Sequence, residues 1–197
     1  MKAFEAKEGV AGMARRTTRY YVEGANSLWH VYKTVPFFKV VKNFMVIQAA
    51  RYMPFLGVKN SLYRRFLKMK VGQNTAVALM VMVDIMFPEK ISVGRNCVIG
   101  YNTTLLAHEY LVDEYRLGDI IIEDDVMIGA NCTVLPGVTI GKSAIVSAGT
   151  LVHKDVPEES FVGGNPMRII YTQEEMMQKM KNKEKRMRDV QRIDKHH

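Results

Sequence analysis

The chain has 197 residues and a net charge of +8, with only two cysteines. This length provides for one good-sized core plus appendages. So few cysteines, with no recognisable secretory signal, favour a reducing, cytoplasmic setting. The positive charge is concentrated in residues 1–70, where 14 basic and 3 acidic side chains give +11. No zinc-ligand or aromatic nucleic-acid motif accompanies it, so an anionic membrane surface is a better candidate partner than nucleic acid.

The N-terminal segment, residues 1–70, is predicted to be basic, partly apolar and helical. Residues 1–26 are expected to form a loose or helical arm. The apolar run that follows is bracketed by Pro36 and Pro54 and interrupted by basic residues, so it is too short and too charged to span a bilayer. Two placements stay open for this helix: packing on the rest of the protein or a neighbouring subunit, or lying in a membrane interface at the inner face.

A six-residue repeat begins imperfectly at Val71, fails after Leu106, and runs without a slip from Ile122 to Pro157. Period six is neither the helical 3.6 nor the alternation of one long strand, and it is typical of parallel β-helices. The predicted fold is therefore mainly β. In the second block the aliphatic positions are Ile122, Ile128, Val134, Ile140, Val146 and Val152, and the small or β-branched positions are Val126, Cys132, Val138, Ala144, Thr150 and Val156.

Two features of the repeat suggest local structure. Cys97 and Cys132 occupy small, inward positions, so we expect buried side chains rather than a disulfide or a nucleophile. Gly129 and Gly141 follow aliphatic positions, where we expect turns that need unusual backbone angles.

An insertion interrupts the repeat between Leu106 and Ile122, and it holds His108. A loop that leaves a rigid solenoid is a favoured place for binding and catalytic groups. After the second block comes a GGNP turn at 163–166, and then Thr172 and Glu175 predict a helix capping box. Residues 172–197 are expected to form a charged helix that serves as a solvated tail or a subunit contact, with a thin apolar stripe. That stripe consists of Met176, Met180, Met187 and Val190.

Four motifs carry a family resemblance: residues 128–131 (IGAN), 135–141 (LPGVTIG), 152–157 (VHKDVP) and the GGNP turn. Over residues 71–171 the chain resembles the hexapeptide-repeat acyltransferases, above all the maltose, galactoside and nodulation-type sugar O-acetyltransferases. The resemblance implies a left-handed parallel β-helix with three hexapeptides per coil. It also implies a homotrimer that binds acetyl-CoA in clefts between neighbouring helices.

The resemblance places His108 at the family's catalytic histidine. An alcohol that attacks a thioester must lose its proton as the bond forms, and a neutral imidazole suits that role at cytoplasmic pH. The sequence leaves three candidates for the acid that holds the other ring nitrogen: Glu109, Asp113 and Glu114.

The resemblance also implies donor and acceptor contacts. Backbone N–H groups near Gly129 and Ala130 would face the thioester oxygen, although many relatives have serine at the second position and tryptophan in place of Met127. Acceptor specificity departs from the sugar enzymes, which have asparagine and an aromatic residue where Val98 and Gly100 stand. The predicted cofactor contacts are Gly129, Ala130, Ala148, His153, Lys154 and Arg168. The predicted acceptor contacts are Tyr101, Asn102 and Glu109.

The predicted function is direct acetyl transfer from acetyl-CoA to a hydroxyl of a sugar, of a glycan precursor or of a lipid-linked sugar, with no metal. N-acylation of an amino sugar stays open, because the same base would serve. A non-catalytic β-helix scaffold is a second alternative, and the retained His108 argues against it. A γ-type carbonic anhydrase needs three zinc-binding histidines, whereas the repeat region offers only His108 and His153.

Overall fold

The computed structural model describes residues 6–8 and 15–193, with side chains described from 15 to 183. Short strands and their turns make up its centre, helices precede them, and one helix follows. The strands are β1 (Ala6–Glu8), β2 (Thr18–Tyr21), β3 (Lys70–Val71), β4 (Ala76–Val77), β5 (Met82–Val83), β6 (Ile91–Val93), β7 (Val98–Ile99), β8 (Thr104–Leu105), β9 (His108–Tyr110), β10 (Glu114–Leu117), β11 (Ile120–Ile122), β12 (Met127–Ile128), β13 (Thr133–Val134), β14 (Thr139–Ile140), β15 (Ile145–Val146), β16 (Leu151–Val152), β17 (Phe161–Gly163) and β18 (Arg168–Tyr171). The α-helices are α1 (Val31–Thr34), α2 (Phe37–Tyr52), α3 (Leu56–Phe66) and α4 (Gln173–Ile193).

Three parallel sheets form the sides of a β-helix. The first sheet has the order β14-β11-β6-β3, the second β17-β15-β12-β7-β4, and the third β16-β13-β8-β5, while β18 adds to the second sheet in the antiparallel direction. Ile122 pairs with Ile140, eighteen residues later, so one coil takes three hexapeptides. Val93 pairs with Ile122, 29 residues later, because the inserted loop lies between these two coils.

The two inward columns predicted from the repeat are both buried. The six aliphatic residues from Ile122 to Val152 are at most 1% exposed, and the six small positions from Val126 to Val156 are at most 3% exposed. Cys97 and Cys132 lie in this core as free cysteines, as predicted. Burial of these columns supplies the main stabilisation of the β-helix, at about 25 cal/mol per Å² of apolar surface.

Gly129 and Gly141 were predicted to be needed for unusual backbone angles, and this reason is wrong. Left-handed backbone angles occur instead at Asp125, Asn131 and Ser143, where short polar side chains tolerate them. The two glycines are needed for close approach: a Cβ on Gly129 would lie 2.5 Å from the Ala148 nitrogen, and one on Gly141 would lie 2.5 Å from the Glu158 nitrogen.

Side chains of α3 close the lower edge of the β-helix. The first coil has no coil beneath it, so its carbonyl groups need donors from elsewhere. Lys59 Nζ donates to the Val77 and Ala78 carbonyls, and Asn60 Nδ2 donates to the Thr75 carbonyl. Burial lowers the pKa of Lys59.

The N-terminal arm, defined as residues 15–26, differs from the expected loose or helical conformation. It contains β2, which forms an antiparallel sheet of order β1-β2-β10-β9 with both strands of the inserted loop. The rest of the expected arm lies outside the described residues, apart from the backbone of β1.

The C-terminal helix begins with the predicted capping box. Thr172 N donates to Glu175 Oε2 at 2.8 Å, and Glu175 N donates to Thr172 Oγ1 at 3.4 Å. Of the predicted apolar stripe, the side chains of Met187 and Val190 lie outside the described residues. Among the helices of the described chain, none is long and apolar enough to cross a membrane.

Candidate active site

The candidate base, His108, opens β9 at the corner between the third and first sheets. Its Nδ1 lies 2.5 Å from Asp84 Oδ2, a residue 24 positions earlier that follows β5 in the first coil. The Asp84 side chain is fully buried, whereas the His108 side chain is 17% exposed. The pair therefore joins a fixed acid to a ring that solvent reaches.

Backbone N–H groups hold the Asp84 carboxylate in place. Its Oδ1 accepts from Met86 N and Phe87 N, and its Oδ2 accepts from Ala107 N at 2.7 Å. Burial would raise the pKa of Asp84, but the hydrogen bond and charge of His108 and these backbone donors outweigh burial, so the pKa lies below its usual range. An ionised carboxylate only accepts hydrogen bonds, so His108 Nδ1 carries the proton and Nε2 is left as the acceptor.

None of the three acids considered from the sequence holds His108. Glu109 pairs instead with Arg15, at 2.8 Å, and Glu114 accepts from Arg19 and Arg116. Asp113 is exposed. Asp84 was missed because its partner comes from another coil. The available signal was an acidic residue directly after the aliphatic Val83, in the coil before the histidine's loop, but Glu123 stands in the same place after Ile122, so this signal alone does not single out Asp84.

Two aromatic rings stand beside the histidine. The ring centroids of Phe87 and Tyr110 lie 6.0 Å and 5.2 Å from that of His108, both in edge-on orientation. Tyr110 OH is 2.7 Å from Thr34 Oγ1 of α1, and Lys39 Nζ of α2 lies 5.1 Å from the Phe87 ring centroid. The N-terminal helices therefore contact both aromatic residues that flank His108.

The N-terminal arm also holds the loop that carries His108. Besides the Arg15–Glu109 ion pair, Arg19 donates to Glu114 at 2.9 Å. The rings of Tyr20 and Tyr115 stack with centroids 4.6 Å apart. The arm therefore contributes contacts to the loop that carries the candidate base.

The predicted oxyanion donors are not equivalent. Gly129 N donates to the Val146 carbonyl at 2.8 Å, so the β-helix ladder already uses this N–H. Ala130 N makes no hydrogen bond to any other described residue. Ala130 therefore offers the N–H that is free to face a thioester oxygen, and Ala148 lies against Gly129 in the next coil.

Three polar residues were predicted to contact the cofactor. His153 and Lys154 follow β16, at the same corner as His108, and His153 Nδ1 lies 3.2 Å from the Leu151 carbonyl. Lys154 is exposed, and so is Arg168 on β18. Neither of these cations has an ion-pair partner among the described residues.

The predicted acceptor contacts lie at two different corners. Tyr101 is 53% exposed, and Asn102 donates to Asn131 Oδ1 at 2.9 Å, at the corner between the second and third sheets. Ala130 and Ala148 belong to this corner as well. Glu109 lies at the His108 corner. Within one chain, the third sheet therefore separates the candidate base from most of the predicted donor and acceptor contacts.

No three His, Cys, Asp or Glu side chains converge on a possible metal position among the described residues.

The six-residue ladder and its inserted loop define the chain as a hexapeptide-repeat protein. A family model described as "Hexapeptide repeat of succinyl-transferase" matches residues 119–154.

Comparisons with known proteins narrow the class. "Putative acetyltransferase YvoF" of Bacillus subtilis (strain 168) is 72% identical over 167 residues, 85% of this chain and 97% of that protein. A hexapeptide-repeat containing acetyltransferase from Vibrio cholerae O1 biovar eltor, solved with acetyl coenzyme A, is 25% identical with a TM-score of 0.54, covering 68% of this chain and 87% of that chain. A galactoside acetyltransferase in complex with coenzyme A is 22% identical with a TM-score of 0.56, covering 79% and 86%.

The chain belongs to the hexapeptide-repeat acyltransferase family. The predicted fold class, a left-handed parallel β-helix with a helical N-terminal segment and a C-terminal helix, is confirmed. The predicted enzyme class, an acyltransferase, is confirmed as well. The predicted donor, acetyl-CoA, agrees with the ligand of the Vibrio cholerae structure.

Proposed function

We propose that this chain transfers an acetyl group from acetyl-CoA to a hydroxyl group of a sugar or glycan precursor, with His108 as the general base. The observation that carries the proposal is the contact of His108 Nδ1 with the buried Asp84 carboxylate. That contact fixes the ring and leaves Nε2 as the proton acceptor.

The chemistry follows from these two residues. His108 Nε2 removes the proton of the acceptor hydroxyl as its oxygen attacks the thioester carbonyl. Asp84 stabilises the imidazolium ion that forms, and the Ala130 N–H is the candidate donor to the oxygen that becomes negative. When the C–S bond breaks, the imidazolium returns the proton to the departing thiolate of CoA, and the base is regenerated.

Transfer is direct in this proposal. Cys97 and Cys132 are the only cysteines of the chain, and both are buried. Burial raises the pKa of both thiols, which suppresses the thiolate needed for an acyl-enzyme. Mass spectrometry after mixing with acetyl-CoA alone should therefore detect no acetylated cysteine.

We propose a homotrimer as the active form. The base lies at one end of the third sheet, and Ala130 and Ala148 lie at the other end. In the proposed trimer, a cleft between two chains brings the base of one chain close to the Ala130 and Ala148 positions of the other. Lys154 and Arg168 are proposed to contact the CoA phosphates, with His153 at the cofactor's edge. Both cations are exposed, and neither forms an ion pair with an acidic side chain among the described residues. Acetyl-CoA and the free cysteines fit a cytoplasmic location.

The test is a panel of hydroxyl sugars and amino sugars offered with acetyl-CoA, with release of free thiol as the readout. Acetylation of a hydroxyl by the wild type, lost in the His108→Ala variant, supports the proposal. Acetylation of amino groups alone would contradict the proposed O-acetyl transfer and support N-acetyl transfer. Acetyl-CoA turnover with none of the acceptors, by a correctly folded protein, would contradict a sugar acceptor.

A further inference from the structure

Helix α2 has apolar side chains on two opposite sides. Asn43, Ile47 and Ala50 are buried against the rest of the protein, as one of the two sequence-based placements predicted. Successive helical residues are about 100° apart, so the residues of the opposite side fall within an arc of about 120°. With the neighbouring Tyr32 they form what we term the aromatic face: Tyr32, Phe37, Phe38, Val41, Phe44, Met45 and Tyr52.

The aromatic face is continuous and open to solvent. The rings of Tyr32 and Phe37 lie 5.5 Å apart, and those of Phe37 and Phe38 lie 5.8 Å apart. Phe38 is 83% exposed, and Met45 and Tyr52 are more than 60% exposed. Roughly half of the exposed large hydrophobic side chains in the described chain fall between Leu28 and Phe66. Patches of this kind mark interaction sites.

The segment of the chain that carries this face has charges of one sign. Residues 24–83 contain nine Lys and Arg residues and no Asp or Glu. Lys42 borders the aromatic face on α2, and Lys33 lies next to Tyr32; both side chains are exposed. The combination of projecting aromatic residues with a basic border is typical of protein surfaces that lie in the headgroup region of anionic membranes.

We propose that the aromatic face docks on an anionic lipid bilayer. Phe38, Met45 and Tyr52 enter the boundary between headgroups and acyl chains, and Lys33 and Lys42 contact lipid phosphates. A second copy of the chain that presents this same face is a poorer occupant, because a two-fold contact places the same surface against itself. Such a contact would oppose basic groups to basic groups with no acidic partner from residues 24–83.

Docking has a consequence for the reaction, which rests on the proposed function. Thr34 of α1 contacts Tyr110, and Lys39 of α2 contacts Phe87, the two aromatic neighbours of His108. The helices that carry the aromatic face therefore also border the candidate active site. A membrane-borne acceptor hydroxyl, such as that of a lipid-linked sugar, is the substrate class that this arrangement favours.

Vesicle flotation of the full-length protein tests the docking. We expect binding to phosphatidylcholine vesicles that contain phosphatidylglycerol at low salt, release at high salt, and weak binding to phosphatidylcholine alone. Phe38→Ser/Met45→Ser should weaken binding by about tenfold or more. Lys33→Glu/Lys42→Glu should weaken it by at least about fivefold for each basic residue.

A matched control uses Met177 and Met180 of α4, which are also exposed. Met177→Ser/Met180→Ser should bind vesicles like the wild type, and thermal melts should show that every variant is folded. Absence of wild-type binding to the anionic vesicles, or equal loss in the control, would overturn the proposal. If sedimentation then showed that only Phe38→Ser/Met45→Ser reduces the oligomer's mass, the face would be a contact between copies. Activity on a water-soluble acceptor without vesicles reports on the proposed function separately.

Discussion

Arg15 lies 2.8 Å from Glu109, the residue that follows His108 on β9. Both side chains are less than a quarter exposed, so this ion pair is shielded from solvent more than an ordinary surface pair. It ties the N-terminal arm to the strand that positions the candidate base.

Loss of this tie should affect turnover more than binding. Arg15→Ala leaves Glu109 without its partner and loosens β9, so kcat should fall several-fold, while the KM for acetyl-CoA stays nearly constant. Arg15→Lys should restore part of the rate. Arg95→Ala is the control, because Arg95 pairs with Asp124 on the surface away from the loop. Equal effects of both alanine variants on kcat would show that the arm has no special role.

Asp84→Asn should impair catalysis without removing the base. Asparagine can still accept from Met86 N and Phe87 N, but its NH₂ group cannot accept from Ala107 N or from His108 Nδ1–H. The ring then favours the wrong tautomer, so we expect kcat to fall by about 10²-fold or more with a small change in the KM for acetyl-CoA. Steady-state kinetics with a verified acceptor checks this. A rate within twofold of the wild type would remove Asp84 from the mechanism.

Asp84 should also make stability depend on pH. Its pKa is lower in the folded protein than in the unfolded chain, so the unfolded chain binds more protons near pH 4, and stability rises with pH there. The contribution, about 1–3 kcal/mol for a buried charged hydrogen-bonded group, is present above the unfolded pKa of about 3.9. It is lost as pH falls through the folded pKa. Denaturant unfolding from neutral to acidic pH should give a flatter profile for Asp84→Asn than for the wild type, and parallel profiles would contradict this.

The cofactor phosphates should be recognised by charge. Lys154→Ala and Arg168→Ala should each raise the KM for acetyl-CoA, by about fivefold for an exposed charge-assisted contact, and leave the acceptor KM nearly constant. Lys181→Ala on α4 supplies a matched exposed control. If neither variant differs from this control, the two residues are ordinary surface charges.

The sequence allowed the fold to be predicted because one inward residue recurs every six positions through Ile122, Ile140 and Val152. Such a period has few structural solutions. The loop with His108 was predictable for the same reason, since it is where the period fails. Asp84 was not, because its contact with His108 depends on how two coils stack across an insertion. The site assignments of Lys154, Arg168 and the acceptor contacts stay predictions.

Two other features needed the three-dimensional arrangement. The N-terminal arm joins the inserted loop because β10 pairs with β2, and local composition does not reveal a partner almost a hundred residues away. Gly129 was interpreted through backbone freedom, whereas the proximity of Ala148 in the next coil explains it. In both cases long-range contacts outweighed the local pattern.

The most direct test of the account is the pH dependence of acetyl transfer by His108→Ala. The variant should fold and bind acetyl-CoA, because His108 lies in a loop outside the six-residue ladder, and kcat should fall by about 10²–10⁴-fold. The wild-type rate should decrease on acidification, because a protonated imidazole cannot accept a proton. The variant should lack this decrease, and His153→Ala should keep it. Near-full activity of His108→Ala with the wild-type acidic decrease intact would contradict the assignment of His108 as the base.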